Sequence, residues 1–161
     1  MTPPDQSELE SDSAVLSATI RGIRRLRGLS SSETAAGMNL VLRTYQDFEA
    51  GRGRLNVDYI YRFCYFVNAD PDAIFASLSI GTPDFALRCS SNKLMSIVMM
   101  GMQQLNQQSG DKLATLDVRT IVNAVNALVR ELVDKSAGSE EVDWLKAAEE
   151  QLRRARPKPG R

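Results

Sequence analysis

Apolar residues recur at spacings of three and four over much of the chain, and this pattern predicts a series of short amphipathic helices. The first helix is expected from about Ala14 to Arg27, with a stop at Gly28. The fourth is expected over about 57–67, and Asp70-Pro71 should open the fifth by capping it and occupying its first position. The sequence therefore predicts an all-α protein.

The second and third helices are expected to meet at a tight corner. Ser30 and Glu33 have the spacing of a capping box, and Asn39 tolerates the left-handed conformation that a helix-to-helix corner often requires. Tyr45 and Phe48 form the apolar stripe of the third helix. This outline is typical of a helix-turn-helix, whose second helix can enter the major groove of DNA.

The stretch from Ile20 to Phe75 resembles the helix-turn-helix domain of the Cro/C1 type, also called the XRE family. The matches include positions of the first helix, the Gly-Leu-Ser and the alanine of the second, and the Glu-x-Gly after the third. They also include the core positions of the fourth helix, the residue that follows it, and the closing apolar pair. The matching residues are Ile20, Ile23, Arg24, Gly28, Leu29, Ser30, Ala35, Glu49, Ala50, Gly51, Val57, Ile60, Phe63, Cys64, Val67, Asn68, Ile74 and Phe75. The resemblance implies a five-helix domain that binds DNA in transcriptional control.

Several positions depart from the family pattern. Ser31 stands where the family often has a glutamine that holds a phosphate, and Leu55 replaces its usual proline. Val41 and Leu42 occupy recognition-helix places that are commonly polar, and Asp47 adds an acid that can accept from cytosine but repels phosphate. The base preference therefore cannot be read from the sequence.

The helix around 41–49 is expected to read the major groove. The residues expected to contact base edges are Val41, Leu42, Arg43, Gln46 and Asp47. Of these, Arg43 can pair bidentately with guanine, and an apolar side chain can contact a thymine methyl group.

Phosphate contacts are expected from the hydroxyl groups and arginines that flank this helix: Arg27, Ser30, Ser31, Thr44, Arg52 and Arg54. In the family the arginine at the Arg24 position pairs with the glutamate at the Glu49 position. The resemblance therefore implies a mainly structural ion pair between these two residues.

The apolar pattern of the C-terminal half predicts helices with wide apolar faces. One is expected over Ser91 to Gln108, and a second over Asp117 to Lys135 with the seam spacing of a coiled coil. A third is expected to reach about Arg154. Such helices could complete a bundle with a second copy or pack on their own N-terminal domain; the first alternative is favoured because helix-turn-helix proteins commonly read two half-sites as dimers.

The predicted organisation has four parts: a disordered acidic segment over 1–13, a helix-turn-helix domain over 14–80, a helical oligomerisation domain over 84–155 and a basic tail over 156–161. The 20 basic and 20 acidic residues give a formal net charge of zero, so bulk charge does not indicate a nucleic-acid partner. Their distribution does, because residues 21–54 carry seven arginines against three acids.

Other chemistries find little support in the sequence. The chain has no histidine, and its two cysteines form neither a disulfide framework nor a metal site. No nucleophile motif or phosphate-binding glycine loop is present, so no catalytic residue, cofactor or metal is expected. The acidic N-terminus is not a signal peptide, and no apolar run is long enough for a membrane span. A cytoplasmic location is therefore expected, and the resemblance to a chiefly bacterial and phage family implies a bacterial one, on the nucleoid when bound.

The sequence thus favours a sequence-specific DNA-binding transcriptional regulator that binds double-stranded DNA as a homodimer through its C-terminal helices. Repression is favoured over activation because a bound dimer can exclude polymerase, although the sequence does not decide between them. The alternative is a protein-interaction regulator, a co-regulator or anti-repressor. It would bind another regulator or polymerase through Val41, Leu42 and the aromatic fourth helix, together with the C-terminal helices.

Overall fold

A computed structural model describes residues 6–137, all of whose regular structure is helical. The prediction of an all-α protein is thereby confirmed for this part of the chain. The helices are α1 (Gln6–Leu26), α2 (Ser31–Gly37), α3 (Leu42–Glu49), α4 (Val57–Val67), α5 (Pro71–Ile80), α6 (Asp84–Cys89), α7 (Leu94–Ser109) and α8 (Val118–Ala137), with a 3-10 helix over Gly110–Thr115.

Helix α1 begins at Gln6 rather than near Ala14. The predicted disordered segment therefore does not extend over residues 6–13. Acidic residues, which are frequent at this end of the sequence, are favourable in the first turns of a helix because they face its positive dipole end. The backbone of Ser13 also packs closely on Gly51, which ties this part of α1 to the loop after α3.

The first compact unit, residues 1–110, has one hydrophobic core to which six of its helices contribute. Leu16, Ile20 and Ile23 form the buried stripe of α1, as their spacing predicts. The other large side chains of this core come from the segments that follow α1: Met38, Tyr45, Phe48, Ile60, Phe63, Val67 and Ile74. Burial of an aliphatic or aromatic side chain contributes roughly 1.5–3 kcal/mol, so this core is the main source of stability for the unit.

Helix α6 belongs to the same core, although the predicted domain boundary lies at residues 81–84. Ala86 and Cys89 are buried, and the amide of Ala86 donates to Ser77 Oγ at 2.8 Å. The turn after α5 thus lies inside the first compact unit, which ends at Gly110. The sequence predicts a boundary here because a turn with glycine and proline has the same pattern inside a domain and between two domains.

The buried carboxylate of Asp70 joins the starts of two helices. Its Oδ1 accepts from the amides of Asp72 and Ala73 at 3.1 and 3.3 Å, which caps α5 as expected. Its Oδ2 accepts from the amides of Met95 and Ser96 at 2.8 and 3.2 Å, which caps α7 as well. One side chain therefore satisfies unpaired amides at two helix N-termini.

The second compact unit, residues 111–161, is described as far as Ala137. Its main element is α8, whose seam side chains are exposed: Val118, Ile121, Val125, Leu128 and Leu132. The predicted third C-terminal helix and the basic tail lie outside the described residues. Over the described residues, no helix has both the length and the apolar character that crossing a bilayer requires.

Candidate nucleic-acid interface

The corner between α2 and α3 is fixed by hydrogen bonds at both ends of α2. The Ser30 hydroxyl accepts from the Glu33 amide, and the Glu33 carboxylate accepts from the Ser30 amide at 2.8 Å, which completes the predicted capping box. The Ser30 hydroxyl also donates to Glu33, and these bonds lower the pKa of that carboxyl. At the other end, Asn39 has a φ of 55°.

The left-handed Asn39 closes α2 with paired backbone bonds. The amide of Leu40 donates to the carbonyl of Ala35, and the amide of Asn39 donates to that of Ala36. This is a Schellman closure, which turns the chain sharply and satisfies carbonyls at the helix end. The next helix therefore begins only a few residues later and leaves the corner in a defined direction.

Helix α3 buries one face and exposes the other. Tyr45 and Phe48 are buried, as their spacing predicts, and Phe48 makes an edge-to-face contact with Phe63 of α4. The opposite face carries the predicted base-contacting residues. Val41, Leu42, Arg43 and Gln46 are exposed there, and Asp47 is half-buried.

A buried ion pair holds the C-terminal end of α3 against α1. Arg24 Nε donates to Glu49 Oε1 at 2.5 Å, and the Tyr45 hydroxyl donates to the same oxygen at 2.9 Å. The hydrogen bond to Glu49 raises the pKa of Arg24, and burial raises the pKa of Tyr45. The Arg24–Glu49 pair is therefore present, with a tyrosine partner that the sequence did not reveal.

Asp47, whose side chain is 43% exposed, pairs with Arg52 of the following loop. The two side chains form an ion pair at 3.0 Å between Asp47 Oδ1 and Arg52 Nη1. Gly51, which has a φ of 67°, ends α3 in a second Schellman closure. In this closure the Arg52 amide donates to the carbonyl of Asp47, which brings the two side chains close together. The Glu-x-Gly pattern followed by a basic residue was the signal that could have indicated this pair.

Arg27 has a structural role that differs from the expected phosphate contact. Its guanidinium donates to the carbonyls of Val67, Asn68 and Ser90 at 2.9, 3.3 and 3.2 Å. It thereby joins the end of α1 to the end of α4 and to the segment after α6. Nothing in the local sequence indicates this role, because all three acceptors are backbone atoms distant along the chain.

The remaining expected phosphate ligands are arranged around α3. Ser31 and Thr44 are half-buried, and Ser30 is exposed, although its hydroxyl is used in the capping box. Arg52 and Arg54 are exposed in the loop after α3. The structure thus brings the outward face of α3 and a two-arginine loop together.

Comparison with protein-family models, curated proteins and solved structures finds no match. Among the residues that the structure describes, no group of three or more histidine, cysteine or acidic side chains could hold a metal ion.

Proposed function

We propose that the chain is a sequence-specific DNA-binding transcriptional regulator of the Cro/C1 type, and that α3 enters the major groove. The observation that carries the proposal is the division of α3 into two faces. Tyr45, Phe48 and Glu49 fix its inner face, which leaves Arg43 and Gln46 outward on a rigid element. Base readout needs such rigidity, because bidentate hydrogen bonds depend on the position of the side chain.

Arg43 has the chemistry for the main base contact. It is exposed on α3, and within the described residues it has no ion-pair partner. Its guanidinium can donate two parallel hydrogen bonds to O6 and N7 of guanine. Leu42 and Val41, which are 40% and 74% exposed, can contact thymine methyl groups beside it.

Arg52 and Arg54 supply the matching phosphate contacts. Both lie in the exposed loop that directly follows α3, so they can reach the backbone flanking the bases that α3 reads. The pairing of Arg52 with Asp47 reduces the repulsion that an unpaired carboxylate would exert on phosphate. Binding through such contacts weakens as salt concentration rises.

The proposal includes a homodimer formed through α8, and repression by exclusion of polymerase. The exposed seam of α8 places Val118, Val125 and Leu132 at one heptad position and Ile121 and Leu128 at the other. A sustained apolar seam at these two positions is what a coiled coil buries between its helices. A dimer would present two copies of α3 to two half-sites.

The test is recovery of DNA crosslinked to the protein in cells, with Arg43→Ala compared with wild type. Sharp peaks that share a two-fold motif are expected for the wild type. The variant should lose preference at one base position of each half-site, at a cost of ~1–3 kcal/mol. Arg88→Ala is the matched control, because Arg88 is an exposed helical arginine of α6 paired with Asp84.

A second function is favoured by one observation, the apolar and aromatic side chains exposed on α3 and α4. Val41 is 74% exposed and Tyr65 is 92% exposed, and Tyr61 beside it is 50% exposed. Such side chains are common at protein interfaces. If crosslinked peaks coincide with another regulator's motif and survive Arg43→Ala, the protein acts by binding that regulator and the DNA-reading proposal is overturned.

A further inference from the structure

A cavity of about 430 Å³ opens beside the C-terminal end of α3. It lies among α1, the loop after α3 and α5, all within the first unit. Its volume falls in the range of about 300–1,000 Å³ that is typical of small-molecule sites. Four of its lining side chains are apolar: Leu16, Phe48, Leu55 and Leu78.

The charged lining of the cavity is predominantly positive. Arg52 and Arg54 line it, against the single carboxylate of Asp12. Arg52 is in part neutralised by Asp47, whereas Arg54 has no ion-pair partner in the described part of the chain. A guanidinium at the edge of an apolar cavity suits a ligand with an apolar body and one acid group, because carboxylate and guanidinium form paired, charge-assisted hydrogen bonds.

We propose that this cavity binds a small amphipathic carboxylate, and that the bound acid withdraws Arg52 and Arg54 from DNA phosphates. The binding site itself stands on the cavity and its charges, whereas its effect on DNA rests on the function proposed above. The two events compete for the same guanidinium groups. By linkage, each ligand must then weaken the other's affinity by the same factor.

The geometry also limits the size of the occupant. Gly51 and Gly53 lie in the wall formed by the loop, and Gly51 packs on the backbone of Ser13 in α1. The cavity is therefore bounded by backbone on one side and by core side chains such as Leu16 and Phe48 on the other. A cavity of this volume suits a small molecule rather than a peptide or a second protein.

The first experiment measures binding of decanoate to the 161-residue chain by calorimetry, below the concentration at which decanoate forms micelles. Decanol, which has the same chain length but no charge, is the control ligand. Arg54→Gln is expected to weaken decanoate binding at least tenfold and to leave decanol binding unchanged, whereas Leu55→Asn should weaken both. Arg88→Gln, an exposed arginine on α6, should change neither.

Both lining variants alter exposed residues of a loop, so they are expected to fold, and circular dichroism melting checks this. Absence of decanoate binding up to millimolar concentration would overturn the proposal. Binding that persists unchanged in both Arg54→Gln and Leu55→Asn would place the ligand elsewhere and overturn it equally.

The second experiment measures the affinity for the operator recovered by crosslinking, with and without decanoate. Decanoate should reduce the affinity of the wild type several-fold, and this reduction should disappear in Leu55→Asn, which keeps both arginines. An operator affinity that decanoate does not change would refute the competition. If the protein binds no DNA, the DNA-reading function fails, while calorimetry still decides whether the cavity binds the acid.

Discussion

The carboxylate of Glu49 connects α3 to α1 through two arginines, and a tyrosine of α3 also binds it. It accepts from Arg24 and from the Tyr45 hydroxyl, and Arg21 approaches it at 3.9 Å. Glu49 is 7% exposed, so water cannot replace these partners if the charge is removed. Loss of one member of a buried pair leaves the other charge uncompensated, which is more costly than loss of an exposed pair.

We therefore expect Glu49→Gln to lower the free energy of unfolding by about 2 kcal/mol. The matched control is Asp58→Asn, which removes the exposed pair between Asp58 and Arg62 on α4. That variant should lose no more than about 0.5 kcal/mol. Urea unfolding at neutral pH measures both, and equal losses would show that burial does not strengthen the Glu49 contacts.

At the residue scale, the sequence predicted those features whose partners are near in the chain or carried by a family pattern. The bond between Ser30 and Glu33 spans three residues, and the Arg24–Glu49 pair was implied by the resemblance. The role of Arg27 could not be predicted, because its acceptors lie 40 to 63 residues away. Only the packing of α4 and the segment after α6 brings those carbonyls to α1.

At the scale of the element, helix ends are set by local chemistry and were mostly predictable. Asn56 and Asp70 cap α4 and α5 through their side chains, and Pro71 occupies the first position of α5. Helix α1 begins earlier than predicted, at Gln6. The contact of the Ser13 backbone with Gly51 holds the part of α1 just before the predicted start, and a contact between residues so distant along the chain is not visible in the local pattern.

The backbone at the end of α3 depends on Gly51, because this residue has no side chain. It has a φ of 67°, and a Cβ at this position would collide with the Ser13 backbone. We expect Gly51→Ala to destabilise the protein by about 1–3 kcal/mol from backbone strain, with a further loss from the collision. Thermal and urea unfolding measure the change.

Gly53→Ala provides the comparison in the same loop. Gly53 has a φ of 86°, but nothing lies within 4 Å of an added Cβ. This variant should therefore show the backbone strain alone and be clearly less destabilised than Gly51→Ala. A Gly53→Ala variant as unstable as Gly51→Ala would mean that contact with α1 contributes nothing.

At the scale of the whole molecule, α8 presents an apolar seam to solvent over its described length. Apolar surface of this extent is unfavourable in water and is commonly covered by a partner. The proposed partner is a second copy. Charge in the centre of the seam should separate the copies, because a carboxylate cannot be buried there without a partner.

We accordingly expect Val125→Asp to convert a dimer into a monomer and to lower operator affinity. Asn126→Asp, one position along the same helix, is the control that adds the same charge outside the seam. Sedimentation equilibrium measures the mass of each. A wild type that is monomeric at micromolar concentration would refute the proposed homodimer.

Asp70 has a consequence for how the first unit opens. Because its two oxygens cap different helices, α5 cannot lose its cap by local fraying without releasing the start of α7, and the reverse also holds. Local unfolding usually proceeds in cooperative segments with their own free energies of opening. We therefore expect these two helices, which the sequence places in separate predicted domains, to open together as one such segment.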